Sequence, residues 1–168
     1  FPCQDVSVAG KQDLDNGRTV LVEYLLRILE KKQPERFVFE NVKGLLSNKF
    51  EDFFESILER IRKAGYDVEY KVLNTKEHWL PQNRERVFIV WNNSGKDIEY
   101  PHPHSLNVTL QDILLDYEKV DDKYDLTEKN LEHLSRDFGS KGKDITKKNI
   151  IPTLTASMWT GWWNVPYL

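Results

Sequence analysis

The sequence predicts an α/β fold, namely part of a doubly wound, Rossmann-like sheet with helices on both faces, followed by part of a small second domain. Helical and strand periodicities alternate up to Trp91 in the order helix, strand, helix, strand, strand, which is typical of such a sheet. A proline-rich segment and a change in charge distribution then follow near Pro101.

The first helix is predicted over Arg18–Lys32 by an apolar stripe at helical spacing. Its members are Leu21, Tyr24, Leu25, Ile28 and Leu29. Pro34 ends this helix, because proline lacks the backbone donor. The apolar run Phe37–Phe39 indicates a buried strand that leads into the polar residues Glu40 and Asn41.

A second helix has clearer boundary signals. Asn48, with Glu51 three residues later, predicts an N-cap, and Gly65 suits the position just after a helix end. The apolar stripe between them comprises Phe50, Phe53, Phe54, Ile57, Leu58 and Ile61.

Two more strands complete the first unit. Tyr66, Val68, Tyr70 and Val72 alternate with charged residues, which predicts a half-buried strand, and the apolar run Val87–Trp91 predicts another. In doubly wound sheets ligands bind beyond the carboxyl ends of strands, where we expect Glu40.

Charge separates the two predicted domains. Residues 1–100 hold 16 basic and 17 acidic side chains, whereas residues 112–137 have a net charge of −5 and residues 138–168 a net charge of +3. The segment Tyr100–His104 contains two prolines and cannot continue a helix or central strand. We therefore expect one domain over residues 1–100 and a second over residues 101–168.

Composition excludes several classes of protein. At 168 residues and 39% hydrophobic content the chain suits one domain, or one domain and a fragment, and no apolar run approaches the length of a bilayer span. Its net charge of −3 means that nucleic-acid binding needs a local basic face. The single cysteine, Cys3, excludes an internal disulfide and a cysteine-rich metal site and fits a reducing compartment. Because the chain begins with Phe1, we expect an upstream segment.

Three polar constellations are candidate functional sites, and each has an ordinary explanation. Cys3 lies in a loop-like stretch, and a lone cysteine is usually a small buried apolar residue. Glu40 follows an apolar strand but suits a surface position equally well. Arg84 and Arg86 precede a strand and would project to the same face if that strand extends back to them, where arginines usually form surface ion pairs.

Together these constellations resemble the motifs of the DNA (cytosine-5) methyltransferase family. Phe1–Gln4, Glu40–Val42 and Gln82–Arg86 match its catalytic-loop, Glu-Asn-Val and Gln-x-Arg-x-Arg motifs in order. Arg18–Leu21 resembles its Arg-x-x-Leu helix start, and Val72–Asn74 resembles the segment before Pro-Gln.

The resemblance covers residues 1–91 closely and returns at Pro152–Ala156 and Asn164–Tyr167, which resemble parts of the family's target-recognition domain. Between them only Thr109–Leu114, a predicted helix, matches the start of that domain. The resemblance therefore implies the C-terminal half of a catalytic domain over 1–100 and a partial target-recognition domain over 101–168.

The resemblance also implies catalytic roles. Cytosine carbon 5 is a poor nucleophile, and a thiolate that adds to carbon 6 makes it reactive; Cys3 takes this role, since thiolates are strong nucleophiles and good leaving groups. Glu40 would protonate or hydrogen-bond N3. Arg86 would stabilise charge at O2, and Arg84 would help to hold the loop and the base.

The implied substrate is double-stranded DNA. A methyltransferase can reach the target cytosine of a duplex only when that base is flipped out of the stack. Candidate DNA contacts are Gln4, Ser7, Gln82, Thr153 and Thr155. The basic residues Lys141, Lys143, Lys147 and Lys148 are further candidates for backbone contacts, although ordinary solubility explains them equally well.

The implied methyl donor is S-adenosylmethionine, and Pro2 and Leu21 match positions that contact it. No two glycines form the family's cofactor loop; Gly139 and Gly142 are nearest, without a strand before them. We therefore expect the chain to be inactive alone, with the missing segments cut off, degraded or supplied by a complementary chain.

Other functions remain open. A non-catalytic remnant that binds DNA or a partner is the alternative; an RNA-directed relative fits the Phe1–Gln4 loop less well, and a thiol hydrolase lacks a recognisable histidine motif. We expect a cytoplasmic protein, nucleoid-associated in a bacterium, without a metal or membrane partner, and a restriction-modification component. The roles of Trp159, Trp162 and Trp163 are not predicted.

Overall fold

The computed structural model describes residues 20–92, 98–119, 121–122, 127–128, 143–144, 149–153 and 166–167. Its helices and strands are α1 (Val20–Lys32), β1 (Arg36–Val42), α2 (Glu51–Lys63), β2 (Glu69–Asn74), β3 (Gln82–Asn83), β4 (Glu85–Asn92), β5 (Lys143–Asp144), β6 (Ile151–Pro152) and β7 (Pro166–Tyr167). The order of the long elements confirms the predicted α/β fold.

The main sheet has three strands in the order β1-β4-β2, and β4 is antiparallel to both neighbours. Because paired strands run in opposite directions, the carboxyl end of β1 lies beside the start of β4. Val42 is opposite Arg86, and Glu40 is opposite Phe88. The antiparallel pairing thus brings two of the sequence motifs to one corner of the sheet.

The core lies on one face of this sheet. Phe37 of β1 and Val87 and Ile89 of β4 share that face by strand alternation, and they belong to one buried cluster with both long helices. The helical members of the cluster are Val22, Leu26, Leu29, Phe54, Ile57, Leu58 and Ile61. A helix over the opposite face, which the doubly wound prediction includes, is not among the described residues.

The opposite face explains one error in the sequence prediction. The run Phe37–Phe39 indicated a strand buried on both sides, but Val38 is 62% exposed whereas Phe37 is buried. Val38, Glu40 and Val42 follow one another at two-residue steps along β1, and Val42 is opposite Arg86. Glu40 and Arg86 therefore lie with Val38 on this more open face.

Helix α2 begins differently from the prediction and ends as predicted. Asn48 is not its N-cap, because a 3-10 turn over Asn48–Phe50 comes first and no side chain caps the α-helix at Phe50. Phe50 is buried, so the extra turn places an aromatic side chain in the core. At the other end Gly65 has a φ of 94° and donates to the Arg62 carbonyl, while Tyr66 donates to Ile61, which is a Schellman motif.

Strand β2 begins later than predicted. Tyr66 and Val68 are buried, as expected, but they precede the strand, which starts at Glu69. Tyr70 is exposed, although its ring meets that of Phe54 edge to face at 5.0 Å.

The chain divides into two compact units, one of Phe1–Asn74 with Glu85–His102 and the other of Thr75–Arg84 with Pro103–Leu168. In the second unit β3 pairs with β6, and Leu110, Ile151 and Leu114 form a small core. The helix predicted over Thr109–Leu114 is wrong: the segment forms turns, in which Asp112 accepts hydrogen bonds from the Thr109 amide and hydroxyl.

Candidate catalytic site

An ion pair joins Glu40 and Arg86 across β1 and β4. Arg86 Nε lies 2.9 Å from Glu40 Oε1, and Arg86 Nη1 donates to the Glu85 carbonyl at 2.8 Å. The Arg86 side chain is 17% exposed and the Glu40 side chain 47%. The guanidinium is therefore held from two sides, while the carboxylate stays accessible to a ligand.

The position of this pair follows from the strand register. Glu40 and Val42 project to the same face as Phe88 and Arg86, and Arg86 is diagonal to Glu40 rather than opposite it. Diagonal neighbours in an antiparallel pair are far enough apart to need long side chains. A glutamate and an arginine have the length to meet there.

A second ion pair joins β4 to the 3-10 turn Lys43–Leu46, which follows β1 directly. Lys43 Nζ lies 2.8 Å from Glu85 Oε1, and both side chains are well exposed. Exposed pairs of this kind contribute about 0–1 kcal/mol to stability. This pair gives a matched control for the less exposed one.

Arg84 is placed differently from Arg86. Strand β4 begins at Glu85, and Arg84 lies between β3 and β4, where its carbonyl accepts the Thr75 amide at 3.1 Å. The condition for a shared face, a strand that extends back to Arg84, is therefore not met. Arg84 belongs to the second compact unit and Arg86 to the first.

Two of the predicted DNA contacts come together in the second unit. Gln82 pairs with Ile151 in the β3–β6 register, and Thr153 follows directly after β6. The Thr153 hydroxyl donates to the Asn83 carbonyl at 3.1 Å. A phosphate contact by this hydroxyl would require it to leave that carbonyl.

The remaining predicted site residues are mostly outside the described residues. Cys3, Pro2, Gln4, Ser7 and Thr155 are in this group. So are Lys141, Lys147, Lys148, Trp159, Trp162 and Trp163, whereas Lys143 is described as part of β5. The proximity of Cys3 to Glu40 and Arg86 stays a prediction.

Leu21 is the predicted cofactor contact that the structure does describe. It lies in the first turn of α1 and is 44% exposed. A single apolar side chain does not fit S-adenosylmethionine by itself, since a charged nucleoside needs polar partners as well.

Two functional candidates escaped the sequence analysis. Asn41 is buried, and its Oδ1 accepts the Val42 amide at 2.9 Å, which fixes the exit from β1 next to Glu40. Asn41 lies in the Glu-Asn-Val motif, but no local sequence pattern predicted that its side chain is buried. Trp79 has a φ of 63° and stacks on His104, and no sequence signal indicated either feature.

The described ranges contain neither a candidate metal cluster nor a helix that could span a membrane. No group of histidine, cysteine, aspartate and glutamate side chains there could hold a metal ion. Over the same residues, every helix is too short or too polar to cross a bilayer.

Comparisons with known proteins identify the family. The family model of C-5 cytosine-specific DNA methylases matches residues 1–163. The type II methyltransferase M.Bsp6I of Bacillus sp. (strain RFL6) is 35% identical over 99% of this chain and 58% of its own length. The type II methyltransferase M.NgoBI of Neisseria gonorrhoeae is 36% identical over 76% of this chain and 41% of its own length. The chain thus spans about half the length of these relatives.

Solved structures agree on the fold. The Entamoeba histolytica methyltransferase EhMeth aligns with a TM-score of 0.68 and 17% identity over 98% of this chain and 50% of that chain. A mutant of the Spodoptera frugiperda methyltransferase DNMT2 aligns with a TM-score of 0.66 and 20% identity over 96% of this chain and 49% of that one. The fold is thus that of part of a methyltransferase domain, and with the matched family model it follows that the chain belongs to the C-5 cytosine-specific DNA methylase family.

Proposed function

We propose that this chain is the part of a DNA (cytosine-5) methyltransferase that binds and activates the target cytosine. The observation that carries the proposal is the 2.9 Å contact between Arg86 Nε and Glu40 Oε1. It joins two motif residues from distant parts of the sequence on the more open face of the sheet. An acid and a guanidinium side by side suit a ring that must take up charge at adjacent positions.

Arg86 is suited to hold cytosine O2. A guanidinium has five N–H donors. Among the described residues, the contacts with Glu40 and the Glu85 carbonyl use Nε and one donor on Nη1. The other donors can point to the oxygen on which negative charge develops, and donors fixed in advance are the effective ones.

Glu40 is suited to hold cytosine N3. Its Oε1 accepts from Arg86, and the side chain is 47% exposed, so Oε2 can face a ligand. The buried Asn41 next to it fixes the backbone where β1 ends. The carboxyl group then holds or delivers a proton at N3 as the ring accepts electrons.

Cys3 supplies the proposed nucleophile. The thiolate sulfur bonds to carbon 6, the π electrons of the carbon 5–carbon 6 double bond move towards carbon 5 and N3, and N3 takes its proton from Glu40. Carbon 5 is now an enamine carbon, which is nucleophilic. Once a methyl group has been added at carbon 5, loss of the carbon 5 proton restores the 5,6 double bond, the sulfur leaves carbon 6 with its bonding electrons, and N3 returns its proton to Glu40.

S-adenosylmethionine, the implied methyl donor, needs more contacts than the candidate residue Leu21 offers. Methyltransferases of this family generally use S-adenosylmethionine, but Leu21 alone does not hold it, and we expect no two of the eight glycines to form the family's cofactor loop. We therefore assign to this chain only the activation of the base. Segments outside it, or a complementary chain, would complete the enzyme, and the chain alone would not turn over.

The proposed substrate is duplex DNA with a flipped cytosine. The relatives are named as type II methyltransferases, which supports a place in a restriction-modification system. The substrate also supports the proposed location, the compartment that holds the chromosome, which in a bacterium is the cytoplasm and its nucleoid.

Trapping on DNA with 5-fluorocytosine tests the proposal. The full-length protein that contains this chain should form a stable covalent adduct with such DNA when S-adenosylmethionine is present, because fluorine takes the place of the carbon 5 hydrogen that must leave as a proton after methyl transfer. The Cys3→Ser protein should form none. Binding without an adduct by the wild type would instead indicate the non-catalytic alternative.

A further inference from the structure

Trp79 combines features that a surface tryptophan seldom has together. It lies between β2 and β3 with a φ of 63°, and it is 54% exposed. Positive φ is uncommon outside glycine and is an outlier for a bulky residue, with a cost of about 1–3 kcal/mol. Local backbone preference would favour glycine at this position.

Hydrogen bonds hold the loop in this conformation. The Thr75 carbonyl accepts the amides of His78 at 2.9 Å and Leu80 at 3.3 Å, so the chain must turn back around Trp79. The Thr75 hydroxyl donates to the Gln82 carbonyl at 2.5 Å. The indole is therefore presented by a rigid loop.

His104 supports one face of the indole. The two ring centroids are 4.0 Å apart with an angle of 19° between the planes. The His104 amide donates to the Glu77 carbonyl at 2.8 Å, which fixes the imidazole against the loop. The pair is a preformed aromatic stack, and more than half of the tryptophan remains open to solvent.

We infer that the Trp79–His104 stack is a platform for an unpaired nucleotide of the DNA substrate. The inference rests on the proposed function and adds a contact to it. A third planar ring can continue the stack, and bases stack on aromatic side chains without regard to sequence. The loop 75–84 carries Lys76 and Arg84 against one acid, Glu77, which favours a polyanion.

The same loop also carries a predicted DNA contact. Gln82 is three residues beyond Trp79, and the backbone amide of Gln82 donates to the Leu80 carbonyl at 2.7 Å. The platform and Gln82 therefore belong to one short hydrogen-bonded segment of the second unit. A nucleotide that is left unpaired when a base is flipped has an open face for such a platform.

Trp79→Gly gives a sharp test, because glycine accepts the φ of 63° and the variant should fold. The probes are a fluorescein-labelled duplex with one unpaired guanine, opposite an abasic site, and a fully paired A·T duplex of the same length, which has no cytosine to flip; both are bound by the full-length protein. Trp79→Gly should weaken binding of the first by about 5- to 100-fold, as expected from stacking on one aromatic residue. Binding of the paired duplex should be unchanged.

Two further variants sharpen the result. His104→Ala should weaken binding of the unpaired probe in the same direction, whereas Leu80→Ala, which shortens an equally exposed apolar neighbour, should have no effect. Unchanged binding by Trp79→Gly, an equal loss on both duplexes, or an equal loss with Leu80→Ala would overturn the inference. An apolar surface for a protein partner would give the first of these outcomes.

The outcomes separate this inference from the proposed function. If Trp79→Gly binds both probes like the wild type while 5-fluorocytosine trapping persists, the platform is wrong and the proposed function stands. If the wild type neither binds DNA nor is trapped on it, the proposed function is wrong as well.

Discussion

Arg86 and Glu40 meet because β4 runs antiparallel to β1. Arg86 is opposite Val42, two residues beyond Glu40, and its Nε reaches Glu40 Oε1 at 2.9 Å. The guanidinium is mostly buried and also donates to the Glu85 carbonyl. The pair is thus positioned before any ligand arrives, which is what electrostatic stabilisation of a developing charge requires.

Replacement of Arg86 by alanine should lower turnover of the full-length enzyme by about 10²–10³-fold, comparable with the loss of one oxyanion donor. The physical reason is the loss of fixed positive charge at cytosine O2. The rate of methyl transfer to duplex DNA under single-turnover conditions measures this loss of turnover. Lys43→Ala is the matched control, since it removes the exposed ion pair between β4 and the turn after β1 and should leave turnover unchanged.

Replacement of Glu40 by glutamine should reduce single-turnover methylation by about 10²–10⁴-fold, because an amide cannot deliver a proton to N3. The amide keeps the length of the side chain and can still accept from Arg86, so the fold should persist. Glu85→Gln is the control on the same pair of strands. Equal loss in both variants would show that the effect is not specific to the proposed site.

Tyr66 should make stability depend on alkaline pH. Burial raises the pKa of Tyr66 above its ordinary value of 10.0, so the neutral phenol is favoured in the folded state. This contribution is complete below about pH 10, the pKa in the unfolded chain, and is lost as the pH rises through the higher folded pKa.

Urea unfolding at neutral and alkaline pH measures this dependence. Tyr66→Phe should lose about 1 kcal/mol at neutral pH with the hydrogen bond to the Leu29 carbonyl. Because Tyr66→Phe has no phenol at this position, its stability should fall less above pH 10 than that of the wild type. The same slope in the wild type and in Tyr66→Phe would contradict the assignment to Tyr66.

Gly65→Ala should destabilise the first unit by about 1–2 kcal/mol, the cost of a left-handed conformation for a residue with a Cβ atom. The added carbon would meet no atom within 4 Å at the φ of 94°, so strain and not a clash is the cause. The shift of the urea midpoint measures it. Gly65→Asn should cost less, since asparagine tolerates this conformation, and an equal cost would point to a steric origin.

Local pattern was sufficient for much of the fold. The stripe along α2 and the apolar run in β4 predicted elements that the structure contains, since burial of one helical face or of a strand leaves a short-range period in the chain. The stripe along α1 predicted the helix but not its buried face, which is formed by Val22, Leu26 and Leu29, whereas Leu21, Tyr24 and Ile28 are exposed. The boundaries were harder. Asn48 had the chemistry of an N-cap, but burial of Phe50 through a 3-10 turn prevailed over it.

The candidate site was also only partly predictable from the sequence. The Glu-Asn-Val and Gln-x-Arg-x-Arg motifs identified Glu40 and Arg86 from residue types and order, and through the resemblance they identified the family. Their contact depends on the antiparallel β1–β4 register, a non-local choice that no short-range period encodes. The same is true of Trp79 and His104, whose rings meet only because a loop and a distant extended segment share hydrogen bonds. The sequence alone determined which residue types are available and in which order they occur. The tertiary structure decided which of them lie close together, because that depends on which strands and loops pair when the core is buried.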